Sequence, residues 1–259
     1  NNHGGKIDRA RRMIDLAAQS GANAVKFQTF LTEHYVSRSA NEKRFENLKN
    51  WQLSFSDFEN LAAHAREIGI LFFSTPFDLY SAEFLGNHTD VHALKISSGD
   101  NTFYPLIRKV AQSGKPIIIS TGIANSEEIK KGLDIVFAEW KAKGVKQGLS
   151  LLHCVCSYPV DPTSANLRAI KSLASQFPFC VPGYSDHTDN NRACITGVAL
   201  GARIVERHFT DDRNSSEGPD HKISADPGMM VELVKMIRDC EATLSSEIEF
   251  LPDQCTMLG

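Results

Sequence analysis

The chain has 259 residues, of which 42% are hydrophobic, with a formal net charge of −3. That balance describes an ordinary soluble globular protein. It excludes a nucleic-acid or membrane surface, because there is no basic block, no apolar run of about 18 residues and no amphipathic basic helix. The length suits one large domain or two small ones, and α/β barrels often run this long as a single unit.

The first residues, Asn1-Asn2-His3-Gly4-Gly5, read as a loop, and a strand is expected upstream of them. Over residues 6–20 the apolar side chains Ile7, Ala10, Ile14, Ala17 and Ala18 follow a helical period, with Gly21 as the stop. Residues 24–28 read as a strand, followed by a long polar stretch over 29–54. A helix over 56–68 is expected to start on a capping box of Ser56 and Glu59. The alternation then repeats: strand 70–74 and helix 79–85, strand 93–96 and helix 104–112, strand 116–120 and helix 126–142, strand 149–153 and helix 164–176. Short apolar strands at 179–181 and 202–205 flank a helix over 191–200, and a last helix covers 227–244.

Strict alternation of this kind predicts a (β/α)8 TIM barrel whose first strand is missing from the chain as given. A doubly wound open sheet is the alternative, but it usually carries a glycine-rich phosphate turn after its first strand, and none is visible. No linker divides the chain, so residues 1–245 read as one catalytic domain and 246–259 as a tail. Six cysteines form no CxxC pair. Reduced thiols in a cytoplasmic protein are therefore expected.

Alternate residues of a strand face opposite sides. With Val25, Phe27, Leu94, Ile96 and Val205 turned toward the helices, Lys26, Gln28, Lys95, Glu206 and His208 point into the barrel. Buried charges cost several kcal/mol each unless paired or solvated, so a fold that gathers them is using them. Hydroxyls follow the strands at Ser74-Thr75, Ser97-Ser98, Ser120-Thr121, Ser157-Tyr158 and Ser185. Each alone could be a helix cap, but together with two inward lysines they favour a phosphate or carboxylate site. The last two strands each end near a histidine, His187 and His208. These two could share a divalent cation, or be unrelated rim residues.

Several segments occur in an order that resembles a known family: Asn2-His3-Gly4-Gly5, the run from Gly21 to Thr29, Ser74-Thr75-Pro76-Phe77-Asp78, the run from Lys95 to Asp100, Ser120-Thr121-Gly122, Leu151-Leu152-His153-Cys154, Ser157-Tyr158-Pro159, Gly183-Tyr184-Ser185-Asp186-His187-Thr188, Glu206-Arg207-His208-Phe209-Thr210 and Asp220-His221. Together they resemble the barrel domain of the sialic acid synthases, including the legionaminate, pseudaminate and spore-coat relatives. The resemblance implies a condensation of phosphoenolpyruvate with an open-chain N-acetylmannosamine-type sugar, releasing phosphate. It implies that His187 and His208 hold manganese, or magnesium or cobalt in its place. Lys26, Thr75, Lys95, Ser98, Ser120 and Ser185 match positions that bind phosphoenolpyruvate, while Gln28, Asp100, Tyr158 and Asp220 match positions near the sugar. Asp100, His187 and His208 are the catalytic candidates, with Asp100 managing the attacking water. It also implies a cytoplasmic homodimer in the full-length form.

Two departures stand out. The family's glutamate just before the Asn-His-Gly loop is absent, and the chain ends before the antifreeze-like domain whose arginine reaches the partner's site. Cys156 replaces a polar residue of some members. Two other readings remain open at this stage: a Schiff-base aldolase using Lys26 or Lys95, and a non-catalytic sugar- or phosphate-binding barrel.

Overall fold

The structure is a computed structural model that describes residues 1–88 and 90–244. The expected tail over 246–259 lies outside the described residues. Helix α1 (Ile7–Gln19) ends where Gly21 adopts a left-handed φ of 82°, a conformation a glycine takes without steric cost. Strand β1 (Ala24–Thr29) follows. The polar stretch after it is not a plain loop, since it holds α2 (Thr32–Tyr35) and α3 (Glu42–Trp51). Asn41 caps α3 by accepting from the Arg44 backbone N–H, and α3 buries only Phe45 and Leu48. Two apolar anchors three residues apart give too weak a period to be read in advance.

Helix α4 (Phe55–Ile68) starts one residue earlier than expected, and its cap lies two residues earlier: Ser54, not Ser56, is the cap, and its partner is Asp57, not Glu59. The alternation then holds through β2 (Leu71–Pro76), α5 (Leu79–Asn87), β3 (Ala93–Ile96), α6 (Tyr104–Gln112), β4 (Ile117–Ser120), α7 (Ser126–Lys143) and β5 (Leu149–Cys154). Helix α8 (Ala169–Gln176) begins later than the expected residue 164, after a short 3-10 turn at Pro162–Ser164 and a left-handed Asn166. Strand β6 (Val181–Asp186) and β7 (Ile204–Arg207) run further into their motifs than the apolar runs alone suggested, with α9 (Arg192–Ala199) between them and α10 (Pro227–Leu244) last.

All seven strands are parallel and lie in sequence order from β1 to β7. The sheet curls until its two edge strands face each other, because Lys26 on β1 lies 3.7 Å from Glu206 on β7. This is the (β/α)8 architecture, with β1 and β7 unpaired to each other among the described residues. The outward faces bury Phe72, Leu94, Ile96, Ile117 and Leu151 against Ile14, Leu61, Leu106, Ile107 and Leu133 of the helices. Each such side chain is worth about 1.5–3 kcal/mol of transfer free energy. Between β1 and β7 lies a cavity of about 440 Å³ lined by Met13, Val25, Phe27, Val205, Phe209 and Leu233, among others. No described helix is long and apolar enough to cross a membrane. The five cysteines among the described residues are free.

Candidate active site

The inward residues meet at the C-terminal ends of the strands, the face where barrel enzymes act. Glu206 is the hub. Its carboxylate accepts from Lys95 Nζ, and from Ser185 Oγ at 2.8 Å, while Lys26 Nζ stands 3.7 Å away. Burial alone would raise the proton affinity of Glu206, but Lys26 and Lys95 outweigh it and hold the carboxyl far below the ordinary range. Burial pushes Lys26 the other way, down, and Glu206 opposes that.

Among the described residues, two buried hydroxyls on the strands have nothing to bond. Thr75 and Ser120 are 1% and 2% exposed, and neither side-chain oxygen has a hydrogen-bond partner. Neither is a helix cap: α5 is capped by Asp78 and α7 by Asn125. Buried, unpaired hydroxyls are costly, and a group that bonds them recovers that cost. Ser98 Oγ accepts the Gly122 backbone N–H at 3.0 Å. A Cβ on Gly122 would come within 3.0 Å of Cys156 Sγ, Ser98 Oγ and the Cys154 carbonyl, so only glycine fits there. Of the six expected anion-site residues, Lys26, Lys95 and Ser185 meet at Glu206, while Thr75, Ser98 and Ser120 lie on or just after β2, β3 and β4, with no hydrogen bond to that group among the described residues.

His187 and His208 come together beside them, with ring centroids 5.2 Å apart. Tyr158 lies over the pair, 4.2 Å from His187 and 5.9 Å from His208, ring to ring. Nδ1–H of His187 donates to the Val155 carbonyl at 3.0 Å, which fixes the tautomer and leaves Nε2 for the site. His208 Nδ1 faces Asp220 at 3.6 Å. Burial drives both imidazoles toward the neutral form, His208 with help from His187 and Lys26. Among the described residues no group of three or more His, Cys, Asp or Glu side chains is placed to hold a metal ion.

Gln28 sits on the inner face of β1 and lines the cavity. Asp100 ends the short turn after β3, accepts from Ser97 Oγ at 2.5 Å, and has its proton affinity raised by burial. Among the described residues its one hydrogen bond to a side chain is that one, outside the Lys95–Glu206 group. Glu206 was not among the site residues named from the sequence, although alternation places it inward. Its signal was the missing counter-charge for two inward lysines.

Residues 13–249 match the NeuB family. A protein of Methanocaldococcus jannaschii is 44% identical over 95% of this chain and 70% of its own. The N,N'-diacetyllegionaminic acid synthase of Campylobacter jejuni is 37% identical over 96% and 76%. The crystal structure of an N-acetylneuraminic acid (sialic acid) synthetase from Leptospira borgpetersenii, in complex with citrate, superposes with a TM-score of 0.89 at 36% identity, covering 98% of this chain and 86% of that one. On this match across nearly its whole length, the chain belongs to the NeuB family.

Proposed function

We propose that the protein condenses phosphoenolpyruvate with an open-chain N-acetylmannosamine-type sugar and water, giving a nonulosonic acid and inorganic phosphate. The observation that carries this reading is the pair of buried, unbonded hydroxyls of Thr75 and Ser120, on β2 and β4, the strands paired with those of Lys26 and Lys95. They supply donors at the spacing of several strands, which suits a phosphate better than a neutral sugar. Lys26 and Lys95, Ser98 and Ser185 complete the phosphoenolpyruvate pocket, and Gln28, Tyr158 and Asp220 line the side where the sugar enters.

The reaction joins the methylene carbon of the enol to the sugar's aldehyde carbon, while water adds to the carbon that bears phosphate and the phosphate leaves. His187 and His208 fit a divalent cation, because both are neutral and adjacent and His187 is fixed as a donor through Nε2; that the ion is manganese is what the resemblance to the sialic acid synthases implies. Such an ion would polarise the aldehyde oxygen as a Lewis acid. With His187 and His208 as its protein ligands, such an ion would leave its other positions to substrate and water. Asp100, with its proton affinity raised by burial, is the base we assign to the attacking water. Lys26 and Lys95 hold the phosphate and carboxylate of phosphoenolpyruvate in place.

A Schiff-base aldolase on Lys95 is disfavoured by geometry. Its lysine must be neutral to attack a carbonyl, whereas Lys95 is held on the Glu206 carboxylate, which favours the ammonium form; of the two lysines, Lys26, pushed down by burial, is the one that would suit it. We also propose a cytoplasmic homodimer. Leu79, Tyr80, Phe103, Ile123 and Tyr158 are exposed apolar side chains on segments that follow β2 to β5, a rim suited to being covered.

The test is release of inorganic phosphate from phosphoenolpyruvate with manganese and a panel of N-acyl amino sugars. Sugar-dependent phosphate release supports the reading, and the best sugar names the acceptor. A borohydride-trapped adduct with pyruvate, without phosphate release, would replace it by the aldolase.

A further inference from the structure

Strands β6 and β7 carry a second charged pair, on the face turned away from the barrel. Asp186 and Arg207 form an ion pair at 2.7 Å with side-chain exposures of 0% and 1%. The Asp186 carboxylate accepts from five groups: Arg207 Nη1, the Tyr184 hydroxyl at 2.9 Å, the Thr188 backbone N–H at 2.9 Å, and the Thr188 hydroxyl and the Cys194 thiol at 3.1 Å each. Arg207 spends its other contacts on backbone: Nη2 donates to the Thr188 carbonyl at 2.9 Å and Nη1 to that of Asn190.

An ion pair buried this deeply is seldom the most stable filling of its space, because desolvation of both charges offsets their attraction. What it supplies is definition of geometry, and its targets say where. Aside from Tyr184 and Cys194, they all lie on Thr188 and Asn190, in the segment 186–190 that holds His187. Asp186 grips the chain just before that histidine and the N–H just after it. Arg207 grips the two carbonyls beyond, and is itself the residue before His208. One guanidinium therefore ties together the two segments that carry the imidazoles. On the barrel side, the His187 ring meets the Val155 carbonyl, the Cys154 thiol at 3.8 Å, the Tyr158 face and the His208 ring.

We propose that the buried Asp186–Arg207 pair is a positioning device: it sets the backbone on both sides of His187 so that its ring stands against His208. The part of this that concerns a cation rests on the two-histidine site proposed above, but the positioning of the ring does not.

The experiment therefore reads the ring directly. In proton–nitrogen NMR of the full chain, the His187 Nδ1–H proton is assigned by its disappearance in His187→Gln. Asp186→Asn should speed exchange of that proton with water by at least about tenfold and weaken manganese binding, followed by electron paramagnetic resonance, by roughly 10–100-fold, the range for outer partners of metal ligands. Affinity for inorganic phosphate, measured by calorimetry, should change less than about twofold, since the anion site lies on the opposite face of the strands. Tyr184→Phe removes one of the five donors and should move exchange and manganese binding the same way by a smaller factor. It decides the matter alone if Asp186→Asn does not fold by circular dichroism. Exchange unchanged in the folded variants overturns the proposal. So does a parallel loss of phosphate affinity, which would mean a general loosening. A wild-type chain that binds no manganese sinks the cation site, and the exchange measurement still judges the pair.

Discussion

Lys95 already gives its charge to Glu206, so an incoming anion must share both lysines with a fixed carboxylate. In the proposed site, two positive groups and one negative face the anion. Lys95→Met keeps the hydrocarbon stem and removes the charge. It should weaken phosphoenolpyruvate binding by about 1.5–3 kcal/mol, roughly tenfold to a hundredfold, and sugar binding only a few-fold. Calorimetry with each ligand separates these, and equal losses would make Lys95 structural. Much at this scale was legible beforehand: the alternation of Val25-Lys26-Phe27-Gln28 and Leu94-Lys95-Ile96 says which side chains face inward. The bridge through Glu206 was not, because a period of two assigns a face but not which inward charges, at different heights on strands far apart in sequence, will meet. The hydroxyls show the same limit. Whether Thr75 and Ser120 cap helices or face a ligand depended on Asp78 and Asn125 taking the caps, which only the fold decides.

Elements whose ends are written in side-chain chemistry were the readable ones. Helix α7 has Asn125 accepting from the Glu127 and Glu128 backbone N–H groups at 3.0 Å, with Glu128 returning the bond to the Asn125 N–H at 2.9 Å. It ends on Gly144 in the left-handed region. Asn125→Ala leaves those N–H groups to water and should cost about 1 kcal/mol. For a domain of this size that is a fall in Tm of roughly 2–4 °C, measured by differential scanning calorimetry. Phosphate affinity should be unchanged, since the cap lies on the outer ring; a loss of affinity would mean the cap positions the loop after β4. Helices α2 and α3 were missed because local pattern says little about them. Thr32 is held by Gln52, whose side-chain oxygen accepts from both its N–H and its hydroxyl at 2.8 Å. Arg38 lies over the Phe45 ring at 4.3 Å. These are tertiary contacts twenty and seven residues apart, with no short-range period to announce them.

The whole molecule stores several imidazoles in neutral form. His3, His153, His187 and His208 all have their proton affinity lowered, His3 to about 3, and burial is the leading cause in each. The folded state then binds fewer protons than the unfolded chain, whose histidines titrate near 6.5. Stability is therefore fully present above about pH 6.5 and is lost progressively as pH falls toward 3. Tm should be level above pH 7 and decline from about pH 6.5, well before carboxylates alone would act; a Tm flat down to pH 5 would contradict neutral burial. The second property of the whole is the seam between β1 and β7. Lys26 and Glu206 reach across it, yet no ladder joins the two strands among the described residues, and the apolar cavity of about 440 Å³ lies alongside. Eight strands are what a barrel filled by its own side chains needs, and unpaired strand edges recruit neighbouring chains. A chain lengthened before Asn1 by one parallel strand of about five residues should cover both edges and the cavity's apolar walls. It should melt higher than the 259-residue chain and stay monodisperse at concentrations where the shorter chain associates. Turnover should rise as well, because Lys26 and Glu206 would be held from both sides, and a loosely placed reacting group can lose a hundredfold in rate. Light scattering, calorimetry and phosphate release on the two chains decide it. Equal melting, equal dispersity and equal turnover would mean that the seam needs no strand.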